Sequence, residues 1–165
     1  MIAKEILKFY YVESDYLDFL RDSILGDVHI PFIDYKNKKF FIGVVLQIGN
    51  HKYFAPVSSY KEINSATFNI VRRKKIMSSI RLNYMFPVVD GVYKKVDFNT
   101  IQDKAYKNIV ETEYRICNDN LDTIKNIANK IYTMRKNGKI RIDGVYINDF
   151  SKLERRASEY SKLKN

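Results

Sequence analysis

Up to Phe98 the apolar residues fall in short runs and alternations. From Gln102 onward they recur at a helical period. Phe40-Phe41-Ile42-Gly43-Val44-Val45-Leu46-Gln47-Ile48 is almost unbroken, as expected of a strand buried on both faces. Gly49-Asn50 supplies a two-residue turn, and His51 to Val57 returns as the partner strand, with Pro56 limiting pairing at its far end. Gly43 in mid-strand signals a bulge or a close backbone approach. Ile6 to Val12 predicts a first strand. Ser14 predicts the N-cap of a short helix carrying Tyr16, Leu17, Phe19, Leu20 and Ile24 and ending near Gly26. A polar, basic loop follows from Val28 to Lys39. Phe68 to Arg72, Ile80 to Phe86 and Val92 to Phe98 read as further strands. Tyr106, Val110, Cys117, Leu121, Ile124, Ala128 and Ile131 form one apolar stripe, broken near Asn118-Asp119-Asn120. Lys136-Asn137-Gly138 is a helix C-terminus, and Ser151 with Glu154 suggests a capping box for a last helix. The pattern predicts an α+β domain, with helices packed on a twisted antiparallel β-sheet.

Composition narrows this picture. Hydrophobic residues make up 45% of the 165 positions and charged residues 29%, which is globular usage. One domain over residues 1–165 is the expectation, and it needs no disulfide or metal to stand. Cys117 is the single cysteine, so no internal disulfide can form, and a reducing compartment is implied. Lys4, Glu5 and Lys8 interrupt the apolar N-terminus. No run reaches the roughly 18 apolar residues of a membrane span. The expected location is cytoplasmic, with no membrane partner. Lys plus Arg number 29 against 19 acidic residues, a net charge of +10. That excess favours a polyanion, and 13 tyrosines add groups that stack on bases.

Several chemistries find no support. The sequence has no Cys/His cluster for zinc, no phosphate-binding glycine loop and no nucleophile elbow. Its scattered acidic residues do not suggest a carboxylate cage for Mg²⁺. No metal or cofactor is expected. What remains is the open end of the hairpin, where Lys39 precedes one strand and Ser58-Ser59-Tyr60-Lys61 follows the other. Antiparallel pairing brings these together. Two amines and two hydroxyls there suit stabilisation of a phosphorane-like charge during attack by a ribose 2′-OH, with Lys61 or a serine assisting deprotonation. The competing reading is a plain turn with hydroxyls bonded to backbone. Arg72-Arg73-Lys74-Lys75 is either a solvated strand end or a contact to RNA backbone. His51 stands at the closed end of the hairpin, where a structural role fits better than acid–base work. No role is assigned to His29, and Cys117 reads as a buried small hydrophobe.

The segment from Phe41 to Lys61 resembles the central motif of the ToxN/AbiQ family, the toxins of type III toxin–antitoxin systems. Lys8-Phe9-Tyr10 with Ser14-Asp15-Tyr16, Leu82-Asn83-Tyr84-Met85-Phe86-Pro87 and Tyr106-Lys107 extend the resemblance over most of the chain. It implies a sheet similar to the Kid and MazF toxins. It also implies metal-independent cutting of cellular RNA that leaves 2′,3′-cyclic phosphate, a place in phage defence, and mRNA as substrate. Inhibition would come from a repeated pseudoknot RNA rather than a protein, in a closed toxin–RNA ring of three of each. On these residues the resemblance places the catalytic set at Lys61, Ser59, Ser58, Lys39 and Tyr16. Tyr35 becomes an RNA contact, and Lys36 and Lys38 are neighbouring candidates for the place given to Lys39. Ser58 stands where Thr is usual and keeps the hydroxyl; Tyr60 stands where Pro is usual. A non-catalytic basic RNA-binding module is the alternative. A DNA-binding regulator fits less well, since no helix-turn-helix is evident.

Overall fold

The computed structural model describes residues 6–22, 28–31, 40–59 and 63–164. In chain order the elements are β1 (Lys8–Val12), α1 (Ser14–Asp22), β2 (Phe41–Ile48), β3 (His51–Ser58), β4 (Thr67–Arg72), β5 (Lys75–Arg81), β6 (Phe86–Val88) and β7 (Tyr93–Lys95). Then come α2 (Lys104–Asp119), α3 (Leu121–Lys136), the small hairpin β8 (Arg141–Ile142) and β9 (Val145–Tyr146), and α4 (Phe150–Lys164). The sheet runs β4-β5-β3-β2-β1-β7, with β6 also paired to β3, and every pairing is antiparallel. This is the expected α+β arrangement.

The β2–β3 hairpin lies at the centre of the sheet because its residues can be buried on both faces. Phe41, Ile42, Val45, Tyr53, Phe54 and Ala55 are all buried. Each large apolar side chain removed from water contributes about 1.5–3 kcal/mol. Gly43 fulfils both readings of its position. The pairing register shifts between Gly43 and Leu46, and a Cβ on Gly43 would collide with the Phe54 ring. Helix α3 turns Ile124, Ala128, Ile131 and Tyr132 inward, and α4 does the same with Leu153, Ala157 and Tyr160. The break between α2 and α3 falls where expected, with the Asn120 side-chain amide donating to the Ile116 carbonyl at 2.8 Å. Gly138, at φ +93°, ends α3 as its sequence signature requires.

Four local expectations are revised. Tyr106 does not join the core stripe: it stands in the first turn of α2 and is 43% exposed, so burial begins at Val110. The strand expected to start at Ile80 starts at Lys75 and stops at Arg81, and Leu82–Tyr84 is a 3₁₀ turn. The strand expected from Val92 to Phe98 is only Tyr93–Lys95, and its tail is a second 3₁₀ turn, Phe98–Thr100. Ser151 does not cap α4. Asp149 does, accepting from the Lys152 N–H at 3.2 Å. Glu154 points into the core instead of back to the cap, because the hydroxyls of Tyr53 and Tyr132 both donate to its Oε2, at 2.7 and 2.8 Å.

Candidate active site

The hairpin register fixes what can meet at each end. Ile48 pairs with His51 at the turn, and Phe41 pairs with Pro56 near the open end. Ser58, the last residue of β3, also pairs with Ser79 on β5. His51 and Ser58 therefore stand seven residues apart on one strand, roughly 23 Å at the rise of an extended chain. That distance keeps His51 out of any site built on Ser58, as the sequence indicated.

A narrow cleft of about 80 Å³ opens beside Ser58. Phe40, Pro56, Arg81, Tyr84 and His29 line it, and none of the described residues around it is acidic. Phe40 is the chain neighbour of Lys39, and Ser59, exposed, is at the bend after β3. Ser58 is half-buried and lines the cleft together with Arg81. Arg81 reaches the cleft because β5 ends there, and its Cζ lies 5.8 Å from the Tyr84 ring centroid. The His29 ring stacks on Tyr84 at 4.1 Å between centroids. A hydroxyl, a guanidinium and an imidazole thus share one electropositive recess.

Arg81, Tyr84 and His29 are the residues that sequence reasoning missed. Their one visible trace was position: Arg81 immediately precedes the segment Leu82 to Pro87, and Tyr84 lies within it. Lys61, Lys39, Tyr35, Lys36 and Lys38 lie outside the described residues. Ser58 and Ser59 are at the open end as expected. Tyr16 is not at the surface. Its ring is fully buried, its hydroxyl donates to the Pro87 carbonyl at 2.6 Å, and burial pushes its pKa upward. A side chain so enclosed cannot touch RNA in this conformation, and the expected direct contact is corrected to support of the Phe86–Val88 strand.

Arg72 to Lys75 form a tight β4–β5 turn, with Arg72 paired to Lys75 and both Arg73 and Lys74 at positive φ. All four side chains are exposed. Ser58 pairs with Ser79, four residues along β5 from Lys75, so the tetrad stands roughly 13 Å or more along the strand from Ser58 and forms a separate surface. A second groove, of about 580 Å³, runs between β1–β2 and α3 and carries Lys8, Lys52, Lys125, Asn126 and Asn129. Its cations come from separate elements, which is why no run in the sequence announced it. Among the described residues, no group of three or more His, Cys, Asp or Glu is placed to hold a metal ion, and no helix is long and apolar enough to cross a membrane.

The family model described as toxin ToxN of type III toxin–antitoxin systems matches residues 8–158. The endoribonuclease ToxN of Bacillus thuringiensis subsp. kurstaki is 28% identical over 174 aligned positions, covering 98% of this chain and 88% of that one. A solved structure concerned with selective toxin inhibition by a non-coding RNA pseudoknot superposes with a TM-score of 0.79 at 26% identity, covering 96% of this chain and 99% of its own. Another, of a bacterial antiviral system regulated by a processed non-coding RNA, gives 0.79 at 25% identity, covering 92% and 98%.

Proposed function

Because this chain belongs to the ToxN toxin family of type III toxin–antitoxin systems, we propose that it is an endoribonuclease toxin that cuts cellular mRNA without a metal ion. The observation that carries the reading is the cleft where Ser58 and Arg81 meet at the open end of the central hairpin. Lys39 adjoins Phe40 of that cleft in the chain, and Lys61 follows Ser59 by two positions. The 2′-oxygen attacks the adjacent phosphorus, the bond to the 5′-oxygen breaks, and a 2′,3′-cyclic phosphate remains. Lys61 or a serine assists removal of the 2′-OH proton, and the departing 5′-oxygen gains a proton from solvent to leave as a 5′-hydroxyl. Lys61, Lys39 and Arg81 face the charge that builds on the non-bridging oxygens, and Ser58 and Ser59 donate hydrogen bonds to it. Fixed cations in a recess stabilise such charge more than water does. Inhibition comes from a repeated pseudoknot RNA, not from a protein antitoxin, in a closed ring of three toxins and three RNAs. The basic groove at Lys8, Lys52 and Lys125, with Arg72 to Lys75 and Tyr35, Lys36 and Lys38, supplies the RNA-gripping surface. The toxin works in the cytoplasm, against phage.

The test is cleavage of mixed cellular RNA by purified protein in excess EDTA, with end-group analysis. Cutting should persist, leave 2′,3′-cyclic phosphate ends, and fall by roughly 10²–10³ in the Lys61→Ala variant. A requirement for Mg²⁺ would overturn the mechanism. No cutting by folded, RNA-free protein would favour the non-catalytic RNA-binding module.

A further inference from the structure

His29 and Tyr84 come from segments distant in sequence, yet their rings lie 4.1 Å apart at an interplanar angle of 26°. More than ring contact holds them. Asn148, fully buried, accepts from the His29 N–H at 2.6 Å and donates to the His29 carbonyl at 3.1 Å. Its own backbone N–H donates to the Asn83 carbonyl at 3.0 Å. Asn83 shares the 3₁₀ turn Leu82–Tyr84, and its amide donates to the Tyr146 carbonyl at 2.8 Å. Two buried amides therefore fix the backbones beneath both rings. Paired polar groups in a dry interior hold position more firmly than surface contacts do. Despite this clamp, the His29 side chain is exposed, at the rim of the cleft that contains Ser58 and Arg81.

We propose that the His29–Tyr84 pair is a stacking platform for a nucleobase next to the scissile phosphate; this rests on the ribonuclease reading above. The size of the cleft decides how RNA can sit. About 80 Å³ holds several waters, enough for phosphate oxygens, but it is far below the roughly 300 Å³ of a pocket that swallows a small molecule. The phosphate enters the cleft at Ser58 and Arg81, whose guanidinium can grip two of its oxygens. The attached nucleoside remains outside, against the rim. There the outermost surface is a ring already backed by a second ring, and unpaired RNA bases stack on such surfaces. The clamp matters because a platform that is ordered before RNA arrives loses less freedom on binding.

The experiment uses short fluorescent RNAs with 2′-O-methyl riboses, which cannot be cleaved, titrated by anisotropy against the full chain. His29→Ala and His29→Phe are compared with the unmutated protein. Each RNA is used intact and with one abasic nucleotide moved along it. His29→Ala should weaken binding of intact RNA about tenfold or more, while His29→Phe, which keeps a flat ring, should remain within about threefold. At one position the abasic nucleotide should weaken the unmutated protein by the same factor, and His29→Ala should add nothing there. Unchanged affinity in His29→Ala, equal losses in both variants, or additive losses at every abasic position would each overturn the platform. Both variants keep the backbone that Asn148 clamps, and a thermal melt checks their folding. Binding is read without catalysis. A chain that binds this way and never cuts would sink the ribonuclease and leave the platform; a chain that cuts with His29→Ala binding intact would sink the platform alone.

Discussion

Glu113 carries a carboxyl group into the interface between α2 and the sheet, where only 5% of its surface meets water and Ser78 Oγ donates to it at 2.6 Å. Burial raises its pKa above the ordinary 4.5, and the Ser78 bond offsets only part of that. A raised pKa means the folded chain holds this proton more tightly than the unfolded one. The resulting stability is fully present below the unfolded value and is lost as pH climbs through the higher folded value. Glu113→Gln keeps an acceptor for Ser78 and removes the charge. Its melting temperature should therefore gain on the unmutated chain between pH 4 and pH 8, by about 2–4 °C for each kcal/mol. Melts at the two pH values check this, and a shift that is equal at both would contradict it. The nearby Cys117 thiol, also pushed up by burial and by Glu113, behaves as the buried hydrophobe expected from its place on the stripe. Arg73 and Lys74 show a cost of another kind. Both occupy the left-handed region at φ +52° and +65°, at about 1–3 kcal/mol each relative to a relaxed residue. The Gly49-Asn50 turn meets the same requirement at lower cost, with Gly49 at φ +56°.

Among the elements, the central hairpin was the most legible. Its apolar run, two-residue turn and closing proline are all local signals, and together they placed Ser58 and Ser59 at the open end. The β3–β5 pairing was not legible, because the register of strands joined by a connection of many residues leaves no local mark. Arg81 enters the site only through that pairing. His29 enters through the Asn148 amide, contributed from near the other end of the chain, and through its ring stack on Tyr84, and Tyr16 leaves it because its ring is buried and its hydroxyl is held by the Pro87 carbonyl. Gly43 was legible as an anomaly whose cause is the Phe54 ring. Gly43→Ala should destabilise the hairpin by roughly 1–3 kcal/mol through overpacking. Urea unfolding should show a lower midpoint with an unchanged slope; a midpoint within error of the unmutated chain would rule out the close approach.

On the scale of the whole molecule, the charge of +10 divides between the small cleft at Ser58 and Arg81 and larger surfaces away from it. Arg72 and Arg73 are exposed at the remote end of β5, so they should serve affinity and not chemistry. Replacing both by Gln should lower the slope of log Kd against log salt by about one to two, one for each phosphate no longer neutralised, while bound RNA is cut at the unmutated rate. Binding isotherms across a salt series, with single-turnover cleavage, measure both, and a collapse in the single-turnover rate would bring the tetrad into the site after all. The sheet order adds a consequence for the free protein. Its outer strands are β4, which ends in Arg72, and β7, which ends in the exposed Lys94 and Lys95. Unpaired strand edges invite a second copy to dock and extend the sheet, and lysine or arginine along them opposes that approach. The cations that suit a polyanion therefore also guard the chain against itself, and a variant stripped of them for the sake of an RNA-binding assay becomes more prone to fibrous aggregation.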